Sequence, residues 1–228
     1  PEPKILVHGG GKLASQLAER LAIPVNMVNG RRITDAETVE VITMVYGGKV
    51  NKSIVAGLQA RNCNAIGFSG ADGNTILSVK RPVKEIDFGF VGDVVAVDSE
   101  MIDKLLSIGI TPAFCAITHD GTGQLFNTNA DTIACELARG LSANYEVTLN
   151  YCFEKNGVLL DINDDTSVVK DIDSAKYAEL LEEKIIADGM LPKMENCFYA
   201  LKGGVQQVRL GKPEMLHHKD ANFTTLRL

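Results

Sequence analysis

No stretch of this 228-residue sequence approaches the roughly 20 consecutive apolar residues that cross a bilayer, and no signal-peptide pattern opens it. A positive excess is missing too. Charged residues make up 23% and the net charge is −6, which leaves no field to attract nucleic acid or an anionic membrane. Cysteine is sparse and unpatterned: Cys63, Cys115, Cys135, Cys152 and Cys197 are odd in number and show no CxxC spacing. That argues against a disulfide framework or a metal knuckle and for a reduced, cytoplasmic setting. Four histidines without HExxH pairing give no zinc signal, so no tightly bound metal is expected. The dinucleotide fingerprint G-x-G-x-x-G and the phosphate loop G-x-x-x-x-G-K-[ST] are both absent, and no repeat period emerges.

What is present is strand–helix alternation. At 45% hydrophobic the chain can bury one good core, divided into two lobes. Ile5–Val7 reads as a strand. The helix 12–21 places Leu13, Leu17 and Leu21 on one stripe. Thr34-Asp35-Ala36-Glu37 reads as a capping box opening a helix that runs to Gly47-Gly48, and a second helix covers 49–61. Strands follow at 65–68, as hairpins over 76–97, and at 110–117, 145–151, 157–161 and 205–210. Helices are expected at 99–107, 131–141, 174–187 and 190–202. This order predicts a three-layer αβα sandwich, a mostly parallel open sheet with β-hairpins, as a single domain over 1–228 with lobes 1–142 and 143–228.

The chemistry concentrates first at His8-Gly9-Gly10-Gly11-Lys12, a glycine turn between strand and helix. Such turns lie at the carboxyl ends of strands, where ligands bind, and the following helix offers unpaired N–H groups to an anion. Three readings compete: an anion cradle, an oxyanion hole, or glycines needed only for close packing. The oxyanion reading gains from Gly67-Phe68-Ser69-Gly70-Ala71, close to a G-x-S-x-G elbow, with His217 or His218 as a base. It loses because Ala71 stands where the elbow wants Gly, and because the next residues read as a loop.

Three polar clusters add to the turn. Asn29-Gly30-Arg31-Arg32 supplies guanidinium groups suited to carboxylates. Asn127-Thr128-Asn129-Ala130-Asp131 ends a strand and opens a helix, where Asn129 and Asp131 also fit simple capping roles. Asp188-Gly189-Met190-Leu191-Pro192-Lys193 places Lys193 in a helix's first turn. That is a poor position for a cation unless an anion binds nearby.

Together HGGGK, NGRRIT, GFSGADGN, NTNAD and DGMLPK, in this order over residues 5–193, resemble the acetylglutamate kinases of the amino acid kinase family. The resemblance implies ATP-dependent phosphorylation of the side-chain carboxylate of an N-acylated glutamate in arginine biosynthesis. Lobe 1–142 would hold the acylglutamate and lobe 143–228 the nucleotide. Gly10, Gly11, Arg32 and Asn127 would bind the acylglutamate, Asp131 would organise the catalytic lysines, and Lys193 would meet the transferring phosphoryl group. Ile185, Ile186 and Ala187 would border the nucleotide. ATP would act as its Mg²⁺ complex, and a cytoplasmic homodimer is expected.

Two departures stand out. The family's opening K-x-G-G strand and the helix after it are not in this sequence, which begins at Pro1, so a segment preceding it is expected. The family's nucleotide loop L-[ST]-D-V-x-G-[VI] is replaced by Leu149-Asn150-Tyr151-Cys152-Phe153-Glu154-Lys155-Asn156-Gly157-Val158. Those gaps leave open a non-catalytic, acylglutamate-binding regulatory protein. Arg31 leaves open an acyl group with its own carboxylate, such as succinyl, although alternation would turn Arg31 away from Arg32 in an extended segment.

Overall fold

Short β-branched and apolar runs form the strands, and the amphipathic segments between them form the helices, in a computed structural model that describes residues 2–28, 30–186, 190–218 and 220–228. The chain divides into two units, Pro1–Ile133 and Ala134–Leu228.

In the first unit, β1 (Leu6–His8), α1 (Gly11–Arg20), β2 (Met27–Val28), β3 (Arg31–Arg32), α2 (Ala36–Thr43), α3 (Asn51–Gln59), β4 (Ala65–Phe68), β5 (Ile76–Lys80), β6 (Gly92–Val97), α4 (Ser99–Ser107), β7 (Thr111–Cys115), β8 (Ile117–His119) and β9 (Leu125–Asn127) follow in order, before α5 (Ala130–Leu141) begins. A wholly parallel sheet runs β1-β7-β4, pairing Val7 with Phe114 and Phe114 with Phe68. A second sheet, β6-β5-β8-β9, holds one antiparallel pair, β5 with β6, in the stretch 76–97 where hairpins were expected, and a further pair, β8 with β9, that was not expected. The strand expected at 110–117 divides between the two sheets, with Ala116 separating β7 from β8. This switch carries the chain from the carboxyl end of the parallel sheet towards Asn127 and α5.

The second unit holds β10 (Thr148–Cys152), β11 (Asp171–Ile172), α6 (Ser174–Glu182), α7 (Met190–Lys202), β12 (Gln207–Gly211) and β13 (Thr224–Leu226). Its sheet order is β10-β12-β13-β11, parallel except for β12 against β13. Leu149, Tyr151, Val208, Leu210 and Leu226 join Leu180, Met194, Cys197 and Phe198 in its core. The expected α/β class, with parallel strands, helices and hairpins, is what the chain adopts.

Several local expectations change. Gly47-Gly48 ends no helix: Met44–Val50 continues from α2 as a π-helical stretch and leads directly into α3. Tyr46 and Val45 bury their side chains there, and that packing outweighs glycine's weak helix preference. The cap of α2 is Asp35, whose Oδ1 accepts from the Thr38 amide at 2.8 Å, and not Thr34, which is buried and turned to other partners. On α1 the buried face is Ala14 and Ala18, while Leu13 and Leu21 are exposed. Small residues let that helix approach its neighbours closely. The strand expected at 157–161 reduces to a bridge between Leu159 and Val168. The helix expected over 174–187 closes by Glu182, with Lys184 at a left-handed φ of 57° beyond it.

Candidate active site

The glycine turn follows β1 directly, and α1 begins at Gly11 with no side-chain cap from Gly10. A helix start of this kind presents backbone N–H groups and partial positive charge. The three glycines differ. A Cβ on Gly10 would lie 2.7 Å from Tyr46 Cδ1 and 2.9 Å from Cε1, so this glycine is required by packing against a buried ring. Added at Gly9 or Gly11, a Cβ would meet only ordinary contacts, at 3.9 Å to Ala130 and 3.8 Å to the Tyr46 hydroxyl. Packing therefore explains the middle glycine, and Gly11 stands exposed at the helix start.

Arg32 is seated on this turn. Its Nη2 donates to the Gly11 carbonyl at 3.2 Å and to Ser15 Oγ at 2.8 Å, both from one arm of a five-donor fork. Burial pushes the Tyr46 phenol above its ordinary range, opposed by the Arg32 guanidinium beside it. Two residues along, Thr34 is fully buried. Its Oγ1 donates to the Arg32 carbonyl at 3.3 Å and accepts from Asn127 Nδ2 at 3.0 Å. The backbone completes the link, because Thr34 bonds Phe88 and Phe90, and Asn127 donates to the Phe90 carbonyl at 2.9 Å. Gly11, Arg32 and Asn127 are thus joined in one corner of the first unit. Ser15 and Tyr46 belong to that corner and were not singled out from the sequence, and Thr34, read there as a helix cap, is a link within it.

Beside the turn lies a partly buried polar network centred on Asn51. His8 Nδ1–H donates to the Gly9 carbonyl at 2.8 Å, which leaves Nε2 to accept from Asn51 Nδ2 at 3.0 Å. Asn51 also donates to the Ala113 carbonyl at 2.8 Å, and its Oδ1 accepts from Lys52 at 3.2 Å. Burial holds the His8 imidazole below its ordinary range, partly opposed by the bond to Gly9. Gly67 is required here, since a Cβ would overlap Asn51 Oδ1.

Asp131 lies in the first turn of α5. Its amide donates to Asn129 Oδ1 at 2.7 Å, so Asn129 caps the helix and Asp131 is carried at its start. In the second unit Lys193 occupies the first turn of α7, with Nζ 4.7 Å from the Tyr151 ring centroid and 5.9 Å from that of Phe153. Ile186 is buried in that unit's core and Ile185 packs partly buried against it. Ala187, also expected at the nucleotide, lies outside the described residues, as do Asp188 and Gly189 of the same motif and Asn29.

The elbow reading finds no support. Ser69 gives both its amide and its hydroxyl to Asp72 Oδ2, at 2.6 and 2.7 Å. Only the 3₁₀ turn Asp72–Asn74 follows it, where an elbow needs a helix at once.

An arginine seated on a strand-to-helix glycine turn, in an α/β protein, defines a holder of small anionic ligands. The chain belongs to the amino acid kinase family, whose pattern matches residues 2–212. It is 56% identical over 214 residues to an acetylglutamate kinase of Bacteroides fragilis, covering 94% of this chain and 82% of that one. With an acetylglutamate kinase of Bacteroides thetaiotaomicron the identity is 58% over 205 residues, covering 90% and 80%. The crystal structure of smu.665 from Streptococcus mutans matches with a TM-score of 0.80 at 24% identity, covering 98% of this chain and 85% of that chain. That likeness shows the fold alone.

Proposed function

We propose that this chain transfers the terminal phosphoryl group of ATP to the side-chain carboxylate of N-acetylglutamate, a step of arginine biosynthesis. The observation that carries the reading is the corner in which Arg32 is anchored on the glycine turn while Thr34 links it to Asn127. The named relatives supply the substrate.

The residue types suit the reaction. The acceptor carboxylate, with an ordinary pKa of about 4.3, is already ionised near neutral pH and needs no general base. What must be supplied is the approach of one anion to a polyanion and a place for the charge that spreads in the transition state. In this reading Arg32 and Asn127 hold the carboxylate and amide groups of the acylglutamate. The α1 N-terminus at Gly11 faces the reacting oxygens. Lys193 supplies positive charge to the transferring group, and Asp131 orients cations and takes no proton. The segment at Ile185 and Ile186 borders the nucleotide, with Ile186 anchoring it in the core. Mg²⁺ arrives on the ATP phosphates as part of the substrate complex, the usual habit of this cation.

No helix among the described residues is long and apolar enough to cross a membrane. A cytoplasmic homodimer completes the proposal, which sedimentation and cell fractionation test.

The direct assay incubates the chain with ATP, Mg²⁺ and hydroxylamine, which traps an acyl phosphate as the hydroxamate. N-acetylglutamate should give product and free glutamate little. Tight N-acetylglutamate binding without hydroxamate would instead mark a regulatory protein on this scaffold. Lys193→Ala should lower kcat by about two orders of magnitude while acylglutamate binding changes little, and Asp131→Asn should act in the same direction.

A further inference from the structure

A phenylalanine ring would pack on Gly10 as well as the Tyr46 ring does, so packing leaves the Tyr46 hydroxyl unexplained. Buried tyrosines usually find a hydrogen-bond partner for that group. Tyr46 is 6% exposed, and its ring lies 2.7 and 2.9 Å from where a Cβ on Gly10 would stand. Its hydroxyl bonds no other described residue, yet it is not sealed from solvent. It lies 3.8 Å from where a Cβ on Gly11 would stand, at the exposed start of α1.

Arg32 flanks the same glycine. Its Nη2 is committed to the Gly11 carbonyl and Ser15, while Nε and Nη1 bond no described residue. The guanidinium is near enough to act on the phenol, opposing the rise that burial causes. Burial wins, so the phenol keeps its proton near neutral pH and can donate it to an anion. A largely buried hydroxyl without a partner costs free energy, and a ligand that brings an acceptor recovers it. The π-helical stretch Met44–Val50, a backbone form that recurs at functional sites, carries this residue.

We infer that the Tyr46 hydroxyl is a further substrate-binding group, donating to the same carboxylate of the acylglutamate that Arg32 holds. The inference rests on the acylglutamate reading of this corner given above. Arg32 supplies charge. The phenol supplies direction at little entropic cost, because its ring is already fixed on Gly10.

The test uses Tyr46→Phe, which keeps the ring and removes one oxygen. Because the hydroxyl bonds nothing described in the free protein, the melting temperature should match or exceed that of the wild type. Calorimetric titration without ATP should show the Kd for N-acetylglutamate raised about tenfold or more. Two analogues, each with one carboxylate replaced by a neutral amide, locate the contact. The Tyr46→Phe penalty should persist for one analogue and fall below about threefold for the other. Arg32→Leu should show its smaller penalty with that same second analogue. An unchanged Kd for N-acetylglutamate, a lowered melting temperature, equal penalties for all three ligands, or smaller penalties that fall on different analogues would each overturn the inference. A wild type that binds no N-acetylglutamate would overturn the acylglutamate reading itself, and this inference with it.

Discussion

Asn127 Nδ2 and Thr34 Oγ1 meet at 3.0 Å, across 93 positions of sequence, and this bond ties the second residue after the β2–β3 hairpin to the end of β9. Thr34→Val keeps the shape and removes the hydroxyl, leaving Asn127 and the Arg32 carbonyl each short of a partner. The expected cost is about 1–3 kcal/mol of stability, together with a rise in KM for N-acetylglutamate that exceeds any fall in kcat. Chemical denaturation and steady-state kinetics on the same variant check both. An unchanged KM would remove the Thr34 link from the site.

Gly10 and Gly11 separate the packing and binding roles of the turn. Gly10→Ala forces a methyl into the Tyr46 ring and should destabilise the protein by about 1–3 kcal/mol. Gly11→Ala meets only the Tyr46 hydroxyl at 3.8 Å, so its melting temperature should stay near the wild type while its KM for N-acetylglutamate rises. Thermal melts beside ligand titrations distinguish them, and an equally destabilised pair would contradict the division.

His8 gives the stability a pH dependence of known sign. In the unfolded chain it takes up a proton near its ordinary value, about 6.5. Folded His8 resists protonation until a lower pH, because the charged form is costly to bury. Between those values the unfolded state binds more protons. Stability is therefore fully present above about pH 6.5 and falls as the pH drops towards the folded value. His8→Gln should be less stable at pH 8 but should lose less on acidification from pH 7 to 5. A profile identical in slope to that of the wild type would assign the acid sensitivity elsewhere.

Arg31 is exposed, and on the two-residue β3 it alternates with Arg32, which bonds the glycine turn. Arg31→Leu should therefore leave the ratio of kcat/KM for N-acetylglutamate and N-succinylglutamate unchanged. A shift towards N-acetylglutamate would show that this guanidinium reads the acyl group.

The sequence made the alternation, the β5–β6 hairpin and five motif clusters legible, because each rests on local pattern. Helix 99–107 and helix 190–202 stand at their expected bounds, both being amphipathic. What stayed hidden depends on contacts between distant residues. Nothing near Tyr46 shows that its ring will close on Gly10, and nothing near Ser15 shows that it will receive Arg32. The capping box was misread by one position because Thr34 and Asp35 are both good caps, and the tertiary bond to Asn127 claims Thr34. Short strands such as Asp171–Ile172 and Thr224–Leu226 carry too few residues for a period, and their identity comes from the neighbours they pair with.

The π-helical stretch Met44–Val50 sets the phase of the long helix. Each residue of an α-helix turns the next by about 100°, so five regular steps carry a side chain about 140° past a full turn. Here Tyr46 faces Gly10 and, five positions later, Asn51 faces His8, two residues before that glycine. The wider π turn, bonded from i to i+5, absorbs the fifth step. Tightening the stretch to α at its present length would swing the ring from the glycine turn or the amide from the imidazole. Removing Gly48 as well would leave four steps, about 40° past a full turn, and return the two contacts to nearly one face. The segment holds one residue more than its two contacts need, and its wide turn is what lets that residue stay without misaligning them.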